Sequence, residues 1–135
     1  MTRSLPMILA LLACLWSAHA QPANWIKLPM SSMEGSDYAL DSDSAERSGP
    51  IVRVWERLVF KRFQEDTAFG AFHAVMFHMA YNCRRRSAAI LETRFYRDID
   101  LKELTANRIR TKPRYLYVAP DSSSEMKLEE ACKIR

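Results

Sequence analysis

From Ile51 to Phe63 the chain alternates. Val52, Val54, Leu58 and Phe60 fall on one side of an extended chain, and Arg53, Trp55, Arg57, Val59 and Lys61 fall on the other. Period-two alternation of β-branched and aromatic residues marks a half-buried antiparallel strand. Glu56 interrupts the apolar side, and the pattern places it near an exposed strand end or beside a neighbouring arginine. A second alternating run covers Ala71 to Cys83, with Val75, Phe77, Met79, Tyr81 and Cys83 on one side. Its Ala, Met and Phe also suit a helix, but the alternation holds through Cys83 and favours a strand. A third run, Arg84 to Arg97, turns Ala89, Leu91 and Phe95 inward. Asn82 to Arg85 supplies the tight turn between these two runs, and the polar stretch Gln64 to Gly70 is a hairpin connection.

Shorter elements flank this core. Asn24 to Leu28 is a strand ended by Pro29, and Asp37 to Leu40 is another, with Tyr38 and Leu40 on one face. Met30 to Asp37 reads as a loop, and Asp41 to Pro50, rich in Asp and Ser and closed by Gly49-Pro50, reads as turn chemistry. A short strand is expected at Leu101 to Thr105, and an extended piece at Tyr115 to Val118. Ser122 to Lys133 is the one clear helix. Ser122 and Glu125 form a capping box, Lys133 lies in the last turn, and Leu128 and Cys132 share a face. The predicted fold is α+β: a meander of about six antiparallel strands with one C-terminal helix packed on a face.

Composition adds a compartment. Arg3, the apolar run Met7 to Trp16 and the small-x-small site Ala18-His19-Ala20 form a secretory signal, with cleavage before Gln21. The domain is then residues 21–135 and carries a formal charge of +3, the whole chain's +4 less Arg3. Leu11-Leu12-Ala13-Cys14 is a competing lipid-attachment signal, but Leu15-Trp16 follows it where small polar residues are usual. No other stretch is apolar enough to span a membrane. Of three cysteines, signal removal leaves Cys83 and Cys132. In an oxidising compartment they read as a staple between the chain's middle and its end, or as free thiols, or as Cys83 paired between two copies.

Signs of catalysis are absent from the sequence. His73 and His78, five apart, fall on opposite faces of a strand and make no metal pair. No Gly-x-Ser-x-Gly or Ser-x-x-Lys set is present, and Gly35, Gly49 and Gly70 are too far apart for a phosphate loop. No cofactor-binding motif appears, and the sequence reads as a non-enzyme. The strongest charge run is Arg84-Arg85-Arg86. On a strand, Arg84 and Arg86 would face one way and join Arg53 and Arg57 of a neighbouring strand in a basic stripe, with Trp55 nearby. Such a stripe suits a sulfated glycan, an acidic protein or nucleic acid, the last disfavoured by export. The plainer reading is a solvated positive sheet face.

The order of these pieces resembles the surface-adhesin protein E family of bacterial envelope proteins. The matching features are Asn24-Trp25, Tyr38 with Asp41 and Ser44, and Arg47-Ser48-Gly49 leading into Val52-Arg53-Val54-Trp55. Cys83 with Arg86 and Tyr96, and Pro120-Asp121-Ser122 before a helix ending in Cys132, complete the set. Asn82 stands where the family pattern has an acidic residue, and Asp121 where it has glycine. The resemblance implies a six-stranded antiparallel sheet, a C-terminal helix tied to it by Cys83–Cys132, and often a dimer. It further implies an exported adhesin, in the periplasm or at the cell surface, that binds host matrix or serum proteins. The alternative is a periplasmic structural or ligand-binding protein of the same fold.

Overall fold

The computed structural model describes residues 23–29, 36–66 and 68–135. The expected signal and the Cys14 site lie outside the described residues. Within them run β1 (Trp25–Leu28), β2 (Asp37–Ser48), β3 (Ile51–Asp66), β4 (Gly70–Asn82), β5 (Ser87–Tyr96), β6 (Leu104–Ile109), β7 (Leu116–Tyr117) and α1 (Ser123–Lys133). Strands β1 to β6 form an antiparallel meander in sequence order, and β7 pairs with the start of β5.

The alternation of β3 is realised as read: Val52, Val54 and Leu58 are buried. They join Leu28, Tyr38, Leu40, Tyr81 and Val118 beneath Leu128 and Ala131 of α1, which together form the main core. A second cluster, Phe72, Val75 and Phe95, lies toward the β3–β4 hairpin. Glu56 departs from its expected place. It lies at mid-strand, fully buried, and accepts hydrogen bonds from the Tyr38 and Tyr81 hydroxyls rather than from an arginine.

Four boundaries differ from the sequence reading, the first three for a local reason. Asp41 to Ser48 is not a turn but the second half of β2, reached through a bulge between Asp41 and Glu46. There the turn-forming side chains serve the bulge. Asp41 Oδ1 accepts from the Asp43 N–H at 3.1 Å, and Ser44 Oγ donates to the Asp41 carbonyl at 2.7 Å and accepts from the Trp55 N–H at 2.9 Å. Only Gly49 and Pro50 turn, with Gly49 at φ +58°. Arg84 to Arg86 are turn, not strand. Asn82 Oδ1 accepts from the Arg85 N–H at 3.0 Å, Arg86 takes φ +48°, and β5 starts at Ser87. The strand expected at Leu101 to Thr105 begins instead at Leu104. Asp98 Oδ1 accepts from the Lys102 and Glu103 N–H groups, and Leu101, at φ +60°, closes the loop. The β3–β4 hairpin is also tighter than expected, since β3 runs on to Asp66 and β4 starts at Gly70.

α1 packs on one face of the sheet and is fastened at both ends. At its start, Ser122 Oγ accepts from the Glu125 N–H at 3.2 Å, and Glu125 accepts from the Asp121 N–H and from the Arg86 guanidinium. Asp121, just before the helix cap, takes the left-handed φ of +58°. At its end the Cys83–Cys132 disulfide ties α1 to the β4–β5 turn, with Cα atoms 5.9 Å apart. Arg47 donates to the Cys132 and Ile134 carbonyls at 2.8 and 2.9 Å, satisfying acceptors that a helix end leaves open.

Candidate binding face of the sheet

Side chains on the face opposite α1 stand in register rows. One row runs Lys27, Ala39, Arg57, Met76, Arg94, Asn107, and the next runs Trp25, Asp41, Trp55, His78, Glu92, Ile109. No described element packs on these rows. They are wide enough to span the whole sheet, because every strand of the meander contributes one residue to each.

The aromatic members are already engaged with cations. The Arg57 guanidinium lies 4.4 Å from the Trp25 ring centroid, and Arg94 lies 4.4 Å from that of Trp55. His78 stacks on Trp55 at 4.7 Å with planes 10° apart. Burial lowers the His78 pKa below its ordinary value against the pull of Glu92 and Glu46, so the ring is neutral at pH 7. Arg94 Nε also donates to Glu92 Oε1 at 2.6 Å, and Arg57 lies 3.8 Å from Asp37. The indole and guanidinium planes are thus held in place before any partner arrives. Trp and Arg are residue types enriched at the centres of protein–protein interfaces.

The four residues expected to bind are divided. Arg53 and Trp55 lie on this face, Arg53 opposite Ala80. Arg84 is exposed in the β4–β5 turn, and Arg86 is committed to Glu125. The continuous stripe therefore does not form, because a turn rather than a strand carries Arg84 and Arg86. Arg57 was legible beside Arg53 as a member of the basic stripe, whereas Trp25, His78 and Arg94 were missed as site residues. Their register across five strands follows from the bulges, which a pattern read strand by strand does not reveal. Arg110, Lys112 and Arg114 were also missed, although cations at every second position from Arg108 were a legible signal. They line a cleft on the other side of the sheet.

A family model described as Surface-adhesin protein E matches residues 25–133. The chain belongs to the surface-adhesin protein E family. Membership implies an adhesin-like surface protein. The crystal structure of protein E from non-typeable Haemophilus influenzae is similar over 83% of each chain, at 18% identity and a TM-score of 0.56. Crystal form II of Haemophilus influenzae protein E gives a TM-score of 0.59 at 16% identity, over 84% of this chain and 93% of that one. At such identities these likenesses establish the fold, including the six-stranded meander and the C-terminal helix. No curated protein matches the sequence.

Proposed function

We propose that this chain is an exported, non-enzymatic adhesin module that holds an extracellular-matrix or serum protein of a host on the sheet face opposite α1. The observation that carries the reading is the pair of tryptophans on that face, each with a guanidinium laid on its ring. Trp25, Trp55, Arg57 and Arg94 are the anchors, and Arg53 extends the surface. Arg84 contributes from the exposed turn, whereas Arg86 serves α1. Residues 1–20 are the signal, and 21–135 the exported domain. Self-association through the sheet edges β1 and β6 is part of the same proposal, since an open sheet leaves unpaired backbone groups there.

The test has two arms. Whole cells are treated with protease without breaching the outer membrane, and the purified protein is presented to immobilised matrix and serum proteins. The reading expects digestion of the chain on intact cells and saturable binding to at least one such protein. A chain protected until the outer membrane is opened, with no binding to the panel, would favour the periplasmic alternative.

A further inference from the structure

On the α1 side of the sheet, the helix packs chiefly on β2, β3 and β4. The strip beside it is roofed by the segment leading from β6 to β7. That segment is fastened at both ends, by the Arg110 N–H to the Leu91 carbonyl and the Val118 N–H to the Arg86 carbonyl, each at 2.8 Å. Within it β7 pairs with Ser87 and Ala88 of β5, and the residues from Arg110 to β7 border a cleft of about 710 Å³. The volume falls within the range of small-molecule sites, roughly 300 to 1,000 Å³.

The lining is sharply divided. Phe77, Met79 and Ile90 of β4 and β5 form an apolar floor. Arg110, Lys112 and Arg114 form one wall and Lys127 of α1 another, and no Asp or Glu is among the lining residues. Arg110, Lys112 and Arg114 make no ion pair among the described residues, whereas the cations of the opposite face are largely paired. Ser122 and Ser124 at the start of α1 also line the cleft. An apolar floor beneath an uncompensated cationic wall fits a molecule that is apolar along its length and anionic at one end. A polyanion would leave the floor unused, and a neutral lipid would leave the wall unpaired.

We propose that this cleft binds a single-chain amphiphile with an anionic head, its chain on Phe77, Met79 and Ile90 and its head against Arg110, Lys112 and Arg114. This activity is independent of protein binding on the opposite face.

The test is calorimetric titration of the purified protein with acetate and with dodecanoate, dodecyl phosphate and dodecyl maltoside, the three surfactants each below its micelle concentration. Dodecanoate, dodecyl phosphate or both should bind one to one, the pair separating a free carboxylate from a phosphate-headed lipid as the source. Decanoate, two methylenes shorter than dodecanoate, should bind about 15-fold more weakly, at about 4-fold per methylene. Replacing Arg110, Lys112 and Arg114 together by Ser should weaken binding at least 10-fold while leaving the melting temperature unchanged, because all three side chains are exposed. Ile90→Trp, which fills the floor, should also abolish it. Binding of dodecyl maltoside as tight as dodecanoate, acetate binding as tight as dodecanoate, or unchanged affinity in the triple variant would each overturn the proposal.

Discussion

Glu56 occupies a position where the alternation of β3 calls for an apolar side chain, and the protein makes room for it with two tyrosines. Burial raises its pKa from 4.5 to about 7, against the opposing pull of Lys127 and of the Tyr81 hydroxyl. The Tyr81 hydroxyl is pushed well above its ordinary value by the same burial and by Glu56 itself. The facing groups are therefore Tyr38 of β2, Tyr81 of β4 and Lys127 of α1, the last with its ammonium 4.4 Å from the Tyr38 ring centroid. Since the folded pKa lies above the unfolded one, the folded chain binds the extra proton between about pH 4.5 and 7. The contribution of Glu56 is fully present below that window and is lost as pH rises through it. The loss is about 3 kcal/mol at 1.36 kcal/mol per pKa unit. Denaturant unfolding at pH 5 and pH 8 should show this decline in the wild type, and Glu56→Gln should flatten it. The apolar side of β3 was legible from its alternation, but the partners of Glu56 were not, because they lie 18 and 25 residues away.

At the scale of elements, α1 shows what local sequence can specify. Ser122, Glu125 and Lys133 marked its limits, and all three act at its ends or in its terminal turns as the pattern required. Strand limits were less legible wherever side chains rather than backbone completed the hydrogen bonding. Asp41 and Ser44 close a bulge with the same groups that elsewhere close a turn, and Asp98 delays β6 by capturing two backbone N–H groups. The disulfide is the element-level feature with the largest energetic effect. It closes a 49-residue separation, and on the chain-entropy model it restrains the unfolded chain by about 4 kcal/mol. Cys132→Ser should lower stability by that order, measured by denaturant unfolding, and reduction of the wild type should give the same loss. The Arg86–Glu125 pair, which holds the start of α1, remains in that variant, while the last turn keeps only the Arg47 hydrogen bonds. Hydrogen exchange should therefore show the last turn of α1 opening first, with the Ser122 end still protected.

The whole molecule presents two faces of different chemistry. The sheet face opposite α1 is aromatic, with its guanidinium groups stacked on tryptophan and partly paired with carboxylates. The α1 side carries the cleft with its unpaired cations. Arg53 and Trp55 were legible as one half of the first face, because both lie on one alternating strand. The other half comes from β1, β4 and β5, and only the register of the assembled sheet brings Trp25, His78 and Arg94 beside them. Arg86 was misassigned for the converse reason. Its neighbours in sequence suggested a stripe, while its partner, Glu125, lies 39 residues away on α1.

On the proposed function, the tryptophan–arginine rows are the contact surface for protein. This is tested most directly by comparing the affinity of Trp55→Ala and Tyr117→Ala for whichever matrix or serum protein the wild type binds. Trp55 lies on the proposed face, and Tyr117 is exposed on the cleft side. Truncation of a central aromatic anchor costs at least about 2 kcal/mol, or roughly 30-fold in Kd. Trp55→Ala should show a loss of that size and Tyr117→Ala an unchanged Kd, with both variants folded. Equal affinities for Trp55→Ala and wild type, or a loss confined to Tyr117→Ala, would contradict it.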